Sequence, residues 1–410
     1  MTDSRESEHA SIVPRHDEQT VIPLIDRPHP RLFLTPARIA SIKAAIEEER
    51  QPVYDTWQAL RARAEELLRE PPAAHPYVGH DSRVFYDACL HDASIARDLA
   101  LAYTFTGDER FAERALELLR AWVEARPLPG SRFDPGTHYP GTGMWVVRSI
   151  FSFVWTYDLL YPYTGFDEIL KEETRLWFSL ARQIIETGAL RWKANNYFDQ
   201  QLFNNHLISD AMGLVMIGYA LGDRDLVQFA VDHPLNSRDF KALIAGVILM
   251  PDDEPYYREP GNFPIQAGEI YDRYRHFEFG GHFGNYVTKP NCGLLYATHC
   301  LDLMAITADL LKNNGVDFFR YTAPGGENLE LPFDFYADFY RLMDASIKGG
   351  FYDGETERIP DRNNGPGVFE VGAFHYPENG TIKEMLSSKA RAEQRTSFLG
   401  WPALLYGAEE

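Results

Sequence analysis

The chain has 410 residues, 45% of them hydrophobic and 13% aromatic, enough to bury a large core in one domain or in two to three smaller ones. With 40 Lys and Arg against 60 Asp and Glu, the formal net charge is −20, which argues against nucleic acid as a partner because phosphate binding needs a basic footprint. On its face the same sum argues against any polyanionic ligand. Cys89, Cys292 and Cys300 are too few and too far apart for a disulfide framework, and their spacing matches no zinc pattern. No apolar run approaches the roughly 18 residues of a membrane span, so no membrane partner is expected. Residues 1–20 lack the basic and apolar regions of a signal peptide, which leaves a cytoplasmic location or an export signal already removed.

Residues 1–28 read as a flexible N-terminal tail, charged and without apolar periodicity, and residues 29–410 as a single domain. From Pro36 the pattern is helical. Ile39, Ile42, Ala45 and Ile46 mark one face, and Trp57, Leu60, Ala64 and Leu67 mark a second helix after the break at Pro52. A helix over 91–105 meets Thr106-Gly107-Asp108, and another runs over 109–125; Gly107 suits a left-handed helix end and Asp108 an N-cap. Leu221-Gly222-Asp223 repeats the device between helices over 203–220 and 224–231. The helices over 143–160 and 203–220 are apolar nearly all the way round, as burial on both sides in a two-layer helical barrel requires. Segments 369–374 and 398–406 read as short strands or loop, so the fold class is all-α with little or no strand. Long Pro- and Gly-rich breaks at 126–143, 251–264, 321–331 and 349–367 exceed what connection needs and point to function.

Two stretches concentrate chemistry. The first, Trp192-Lys193-Ala194-Asn195-Asn196-Tyr197 through Asn204-Asn205-His206, carries amides, a histidine and aromatics into an apolar helix. Such groups either bond one another or face a wet cavity, and a helix N-terminus adds N–H donors and a positive dipole end that suit a carboxylate. The second spans 269–299 and holds Arg273, Arg275, His276, His282, Lys289, Tyr296 and His299. Pro290 suits the first turn of the following helix and would put Tyr296 about two turns in. The ordinary readings are a capping network around a structural histidine, a core tyrosine and solvated arginines. No His-x-x-x-His pair, nucleophile elbow, phosphate loop or dinucleotide fingerprint is present, so neither metal nor cofactor is expected.

Four blocks carry a resemblance: His29-Pro30-Arg31-Leu32-Phe33-Leu34-Thr35-Pro36; Leu99-Ala100-Leu101-Ala102-Tyr103 through Thr106-Gly107-Asp108-Glu109-Arg110-Phe111-Ala112; Asn204-Asn205-His206 leading to Leu221-Gly222-Asp223; and Gly293-Leu294-Leu295-Tyr296-Ala297. Over roughly 29–311 the chain resembles the alginate lyase superfamily of polysaccharide lyases, related to lyase families 5 and 38. The resemblance implies an α/α toroid, an incomplete barrel of antiparallel helix pairs with the cleft across its mouth. It carries Asn205, His206 and Tyr296 over as cleft residues. In the family an Arg seven residues before the Tyr helps neutralise the substrate carboxylate. Here that position is Lys289, which supplies charge without the bidentate fork, so Lys289, Arg275, Arg273 and Arg148 all stand as the neutraliser.

The implied reaction removes the C5 proton of a uronate and expels the 4-linked oxygen, leaving a 4,5-unsaturated end. The carbon acid is very weak until the carboxylate is neutralised, which amide, imidazole and cationic donors accomplish. A base near C5 and an acid near the leaving oxygen are then needed. In β-linked mannuronate or glucuronate both lie on one face of the ring, so Tyr296 alone suffices where cations favour its phenolate; guluronate needs a separate base such as His206. Trp145, Tyr139, Trp192, Tyr197, Asn204 and His282 are candidate sugar-subsite residues, with ordinary loop packing as the alternative for each. A glycoside hydrolase on a similar barrel and a non-catalytic carbohydrate-binding protein are the competing functions. The charge no longer excludes an acidic polysaccharide: over 188–210 and 268–300 the cations Arg191, Lys193, Arg273, Arg275 and Lys289 match the acids nearly one for one, so the excess negative charge lies elsewhere.

Overall fold

Capping side chains set the helix starts. Thr35 accepts from the Arg38 N–H, Asp108 from the Arg110 N–H and Asp223 from the Leu226 N–H, each satisfying a donor that has no partner within its helix. Gly107 and Gly222 both sit at φ 73°, the left-handed conformation that turns the chain from one helix into the next. The computed structural model describes residues 18–72, 82–126, 128, 141–191, 203–253, 263–276, 292–355, 359 and 365–408.

Among the described residues there are fourteen α-helices: α1 Pro36–Glu47, α2 Val53–Leu67, α3 Ser82–Thr106, α4 Glu109–Ala125, α5 Thr142–Leu160, α6 Glu168–Arg191, α7 Asn205–Leu221, α8 Arg224–Val231, α9 Phe240–Val247, α10 Gly293–Asn313, α11 Glu330–Leu342, α12 Val368–His375, α13 Gly380–Ser387 and α14 Pro402–Tyr406. A 3₁₀ segment, Tyr271–His276, precedes α10. The helices α3, α5, α7, α10 and α12 pack each on the next, α12 packs on α14, α14 on α2, and α2 returns to α3. The chain of contacts closes into a ring, with α4, α6 and α8 outside α3, α5 and α7. This is the α/α toroid, all-α as expected; the extended pairing among described residues is confined to two isolated bridges, Ile248 with Ile270 and Thr396 with Gly400.

Three expectations change. The segment read as strand or loop over 369–374 lies in α12, and 402–406 forms α14. Aromatic and β-branched residues there fill a core rather than line a sheet, and a short apolar run cannot distinguish the two. Within the supposed tail, the Thr20 N–H donates to Asp232 at 2.7 Å and the Ile22 N–H to Gln228 at 3.0 Å, with Ile22 fully buried. The tail therefore does not run unbroken to residue 28. Finally, α10 is long and apolar enough to cross a membrane by length and composition, yet 89% of its apolar window is buried inside the ring.

Candidate active site

The inner helices α5, α7 and α10 are buried almost completely, and their exceptions converge. In α5 every residue is buried except Trp145 and Arg148, three apart and so on one face. In α7 the exceptions are His206 and the terminal Leu221; in α10 they are Leu295, Tyr296 and the last two residues. Gly213 of α7 brings these helices together, since a Cβ there would meet Val147 at 2.4 Å. The ring thus opens where Arg148, His206 and Tyr296 stand.

At this opening Asn205 is held from both sides. Its Oδ1 accepts from Arg148 Nη2 at 2.7 Å, and its Nδ2 donates to Asp272 Oδ2 at 2.7 Å. Arg148 is fixed further by Nε donating to Ser209 Oγ at 3.0 Å, while its Nη1 makes no hydrogen bond to a described residue. Arg275 lies against the face of Tyr296, 4.1 Å from the ring centroid, with its Nε 3.7 Å from Asp272 Oδ1. The backbone also fixes Arg275, because the Cys292 N–H donates to its carbonyl at 3.2 Å and so brings the start of α10 beside the 3₁₀ segment.

Electrostatics separate the charged groups from the neutral ones. Burial, then Arg148, Arg275 and His299, hold the His206 imidazole well below its ordinary range, so it is neutral at pH 7. Burial also works against the charge of Arg275, but Tyr274, Asp272, Tyr296 and Cys292 outweigh it and raise the guanidinium above its usual value. Arg148 is lowered, chiefly by burial, and as a guanidinium it remains a cation. Burial pushes the Asp210 carboxyl well up, favouring its neutral form beside Arg148; both its oxygens lack a hydrogen-bond partner. The opening therefore holds two guanidiniums with one buried carboxylate, Asp272, between them.

The helix N-termini are already occupied. In α7 the Asn205 N–H donates to Asp272, and the His206 and Leu207 N–H groups donate to Asn204 Oδ1 at 3.0 and 3.3 Å. In α10 the buried Glu355 accepts from the Gly293 and Leu294 N–H groups at 2.9 and 2.7 Å. The expectation that backbone N–H groups of α7 would meet a substrate carboxylate is thus corrected.

Of the predicted site residues, the structure brings Asn205, His206, Arg148, Arg275 and Tyr296 together. Trp145 stands one turn before Arg148, its ring edge-on to Tyr86 at 5.0 Å and beneath Arg83. Asn204 is corrected: it is fully buried, and its Oδ1 caps α7 rather than facing a ligand. Arg273 is corrected too, being 1% exposed, ion-paired with Glu269 and stacked 3.7 Å from the Phe351 ring centroid. Tyr296 sits in the first turn of α10, one turn earlier than expected, because the helix begins at Gly293. Lys289, Trp192, Tyr197, His282 and Tyr139 lie outside the described residues. Sequence reasoning missed Asp272, Ser209 and Glu355. Only Asp272 left a signal, its position three residues before Arg275 on one side of a tight turn.

Among the described residues no group of three His, Cys, Asp or Glu side chains is placed to hold a metal ion. A helical ring whose opening gathers an Asn–His pair, two guanidiniums and a tyrosine is the arrangement that the resemblance implies. Residues 58–245 match the model of the alginate lyase family, the family named by the resemblance. It is 25% identical over 316 residues to an exo-oligoalginate lyase of Saccharophagus degradans, covering 70% of this chain but 39% of that protein, so it spans about two fifths of the length of this curated relative. An alginate lyase from Bacteroides ovatus superposes with a TM-score of 0.62 at 14% identity, covering 92% of this chain and 99% of the other. Alginate lyase A1-III from Sphingomonas species A1 gives 0.57 at 13% identity, covering 93% and 99%. These likenesses show the shared fold.

Proposed function

We propose that the chain is a polysaccharide lyase cleaving a β-1,4-linked polyuronate, alginate or its mannuronan portion or glucuronan, by β-elimination to 4,5-unsaturated uronate ends. The observation that carries this reading is Arg275 lying against the ring of Tyr296 at the opening where Arg148, Asn205 and His206 meet. The names of its relatives support an acidic polysaccharide as substrate: one is an exo-oligoalginate lyase, and a variant of the Sphingomonas enzyme was solved with a tetrasaccharide.

In this reading the substrate carboxylate meets Arg148 Nη1 and the second Nδ2 proton of Asn205. His206, being neutral, contributes a hydrogen bond rather than a charge. These donors stabilise the dianion that forms as the C5 proton leaves. The Tyr296 phenolate takes that proton, with Arg275 lying against its ring. The electron pair from the C5–H bond forms the C4–C5 double bond, the C4–O bond breaks, and the same phenol returns its proton to the departing oxygen. For guluronate, where proton and leaving group lie on opposite faces, His206 is the neutral base within the same opening. Lys289, outside the described residues, remains a further candidate cation. Trp145, with Tyr86 behind it, forms an aromatic wall beside Arg148 for a neighbouring sugar.

Incubating the protein separately with mannuronan, guluronan and glucuronan tests this directly. Growth of the ultraviolet absorbance of an unsaturated uronate on at least one of them is expected. Folded protein that yields no such product on any of the three, or yields saturated sugars, overturns the reading.

A further inference from the structure

We infer that Asp272 is a positioning residue of this site: it sets the orientation of the Asn205 amide and holds Arg275 against Tyr296. The inference rests on the lyase reading for its consequence in catalysis, but its structural content stands apart from it. Asp272 is fully buried on the 3₁₀ segment, and its Oδ2 accepts from the Asn205 N–H at 3.2 Å, from Asn205 Nδ2 at 2.7 Å and from Cys300 Sγ at 3.2 Å. Its Oδ1 faces Arg275 Nε at 3.7 Å.

An asparagine amide can rotate by half a turn and exchange its oxygen and nitrogen at little cost in shape. Here it cannot. A guanidinium has no acceptor and an ionised carboxylate has no donor, so only one orientation satisfies Arg148 and Asp272 together. That orientation spends one Nδ2 proton on Asp272 and leaves the other without a hydrogen bond to a described residue. Without the carboxylate Arg148 alone still favours this orientation, and the amide nitrogen loses the acceptor that holds it in place.

Capping α7 does not account for a buried carboxylate here, because Asn204 already caps that helix through two N–H groups. A fully buried carboxylate is costly unless it is paired. This one is shared between two side chains of the opening from different elements, α7 and the 3₁₀ segment, and receives a thiol from a third, α10. It is the one carboxylate among the described residues that contacts both Asn205 and Arg275.

The test compares Asp272→Asn and Asp272→Ala in the parent and in an Asn205→Ala background. Asp272→Asn keeps the size and one acceptor but loses the charge that anchors Arg275. In the parent background we expect Asp272→Ala to lower kcat by about 100-fold and Asp272→Asn by about 10-fold, with KM changed by less than about 3-fold. In the Asn205→Ala background the loss from Asp272→Ala should shrink at least about 10-fold, because the group it orients is gone. Folded variants with kcat within about 3-fold of the parent overturn the inference, as does a loss of equal size in both backgrounds, which marks a general structural effect. Should Asp272→Ala fail to fold, Asp272→Asn decides by the same criteria in both backgrounds. Crystal structures of the variants give a readout independent of turnover. Arg275 displaced from Tyr296 and an Asn205 side chain shifted from its present position are expected, and an unchanged arrangement overturns the inference even if the parent proves to have no lyase activity.

Discussion

The guanidinium of Arg275 lies 4.1 Å from the centroid of the Tyr296 ring, and the two residues come from different elements joined through the Cys292 N–H to Arg275 carbonyl bond. A cation against a phenol ring attracts both the ring's negative face and the charge that develops on the oxygen when it gives up its proton. In the proposed reaction this half-buried tyrosine transfers the proton. Removing its hydroxyl tests this: Tyr296→Phe should lower kcat on the preferred polyuronate by about 10²- to 10⁴-fold, the usual size of a general acid–base contribution. The melting temperature should stay within about 2 °C of the parent, since that hydroxyl makes no hydrogen bond to a described residue. Activity above a tenth of the parent's would remove Tyr296 from the reaction.

Arg148→Lys separates charge from shape. The lysine keeps the cation but cannot span Ser209 and Asn205 while still presenting a donor to the opening. We expect kcat/KM to fall by about 10- to 100-fold, with Arg148→Met falling further, measured as initial rates of unsaturated product. Equal rates for lysine and parent would show that only the charge matters.

Asn204 and Asn205 are neighbours with different tasks, and alanine distinguishes them. Asn204→Ala removes a helix cap and should cost about 1 kcal/mol in denaturant unfolding. Asn205→Ala should instead lower kcat by about 10²- to 10³-fold. Matching activity losses would contradict the assignment of Asn204 as a cap alone.

Arg273 offers the opposite contrast. Arg273→Met leaves the buried Glu269 carboxylate without its ion pair and should destabilise the fold by about 3–5 kcal/mol, read from chemical unfolding. Activity per folded molecule should be retained. A stable but inactive variant would return Arg273 to the site.

Asp302 on α10 sets a pH dependence of stability. Burial raises its carboxyl from 3.8 to about 7, and both oxygens lack a hydrogen-bond partner. Between about pH 4 and 7 the folded state therefore holds a proton that the unfolded state has lost, so this group's contribution to stability falls as pH rises and levels off above 7. Asp302→Asn removes the ionisation. The unfolding free energy of the variant minus that of the parent should grow from pH 4 to 7 and then plateau, which isolates Asp302 from His206, whose depressed imidazole acts with the opposite sign below about 6.5. A difference independent of pH would contradict it.

Much of the ring was legible in the sequence because helix signals are local. Asp108 and Asp223 cap as their positions imply, and the all-round apolar character of α5 and α7 translated into burial on every side. The short C-terminal helices were not, since eight-residue apolar runs such as Val368–His375 carry no period long enough to separate helix from strand. At the site, Asn205, His206 and Tyr296 came from a resemblance, and Arg148 and Arg275 were among several cations that the sequence left equivalent. What distinguished Arg275 from Arg273 was partner choice, Tyr296 in one case and Glu269 with Phe351 in the other. Alternate residues on a tight turn point to different sides, but which side faces the opening is a fact of tertiary packing. Asp272 was hidden for the same reason: its partners lie 67 and 28 residues away in the chain.

The near-total burial of α5, α7 and α10 limits how this cleft can be altered. Along α5 only Trp145 and Arg148 can change without disturbing the core, and α7 and α10 add His206, Leu295 and Tyr296. Most of those positions are ones to which the proposed reaction assigns a role. A descendant or engineered form with a new sugar preference therefore has almost no freedom on the helices themselves. Variation must enter through the segments that connect them, where chain length and side-chain size can change while the ring and its reacting groups stay as they are.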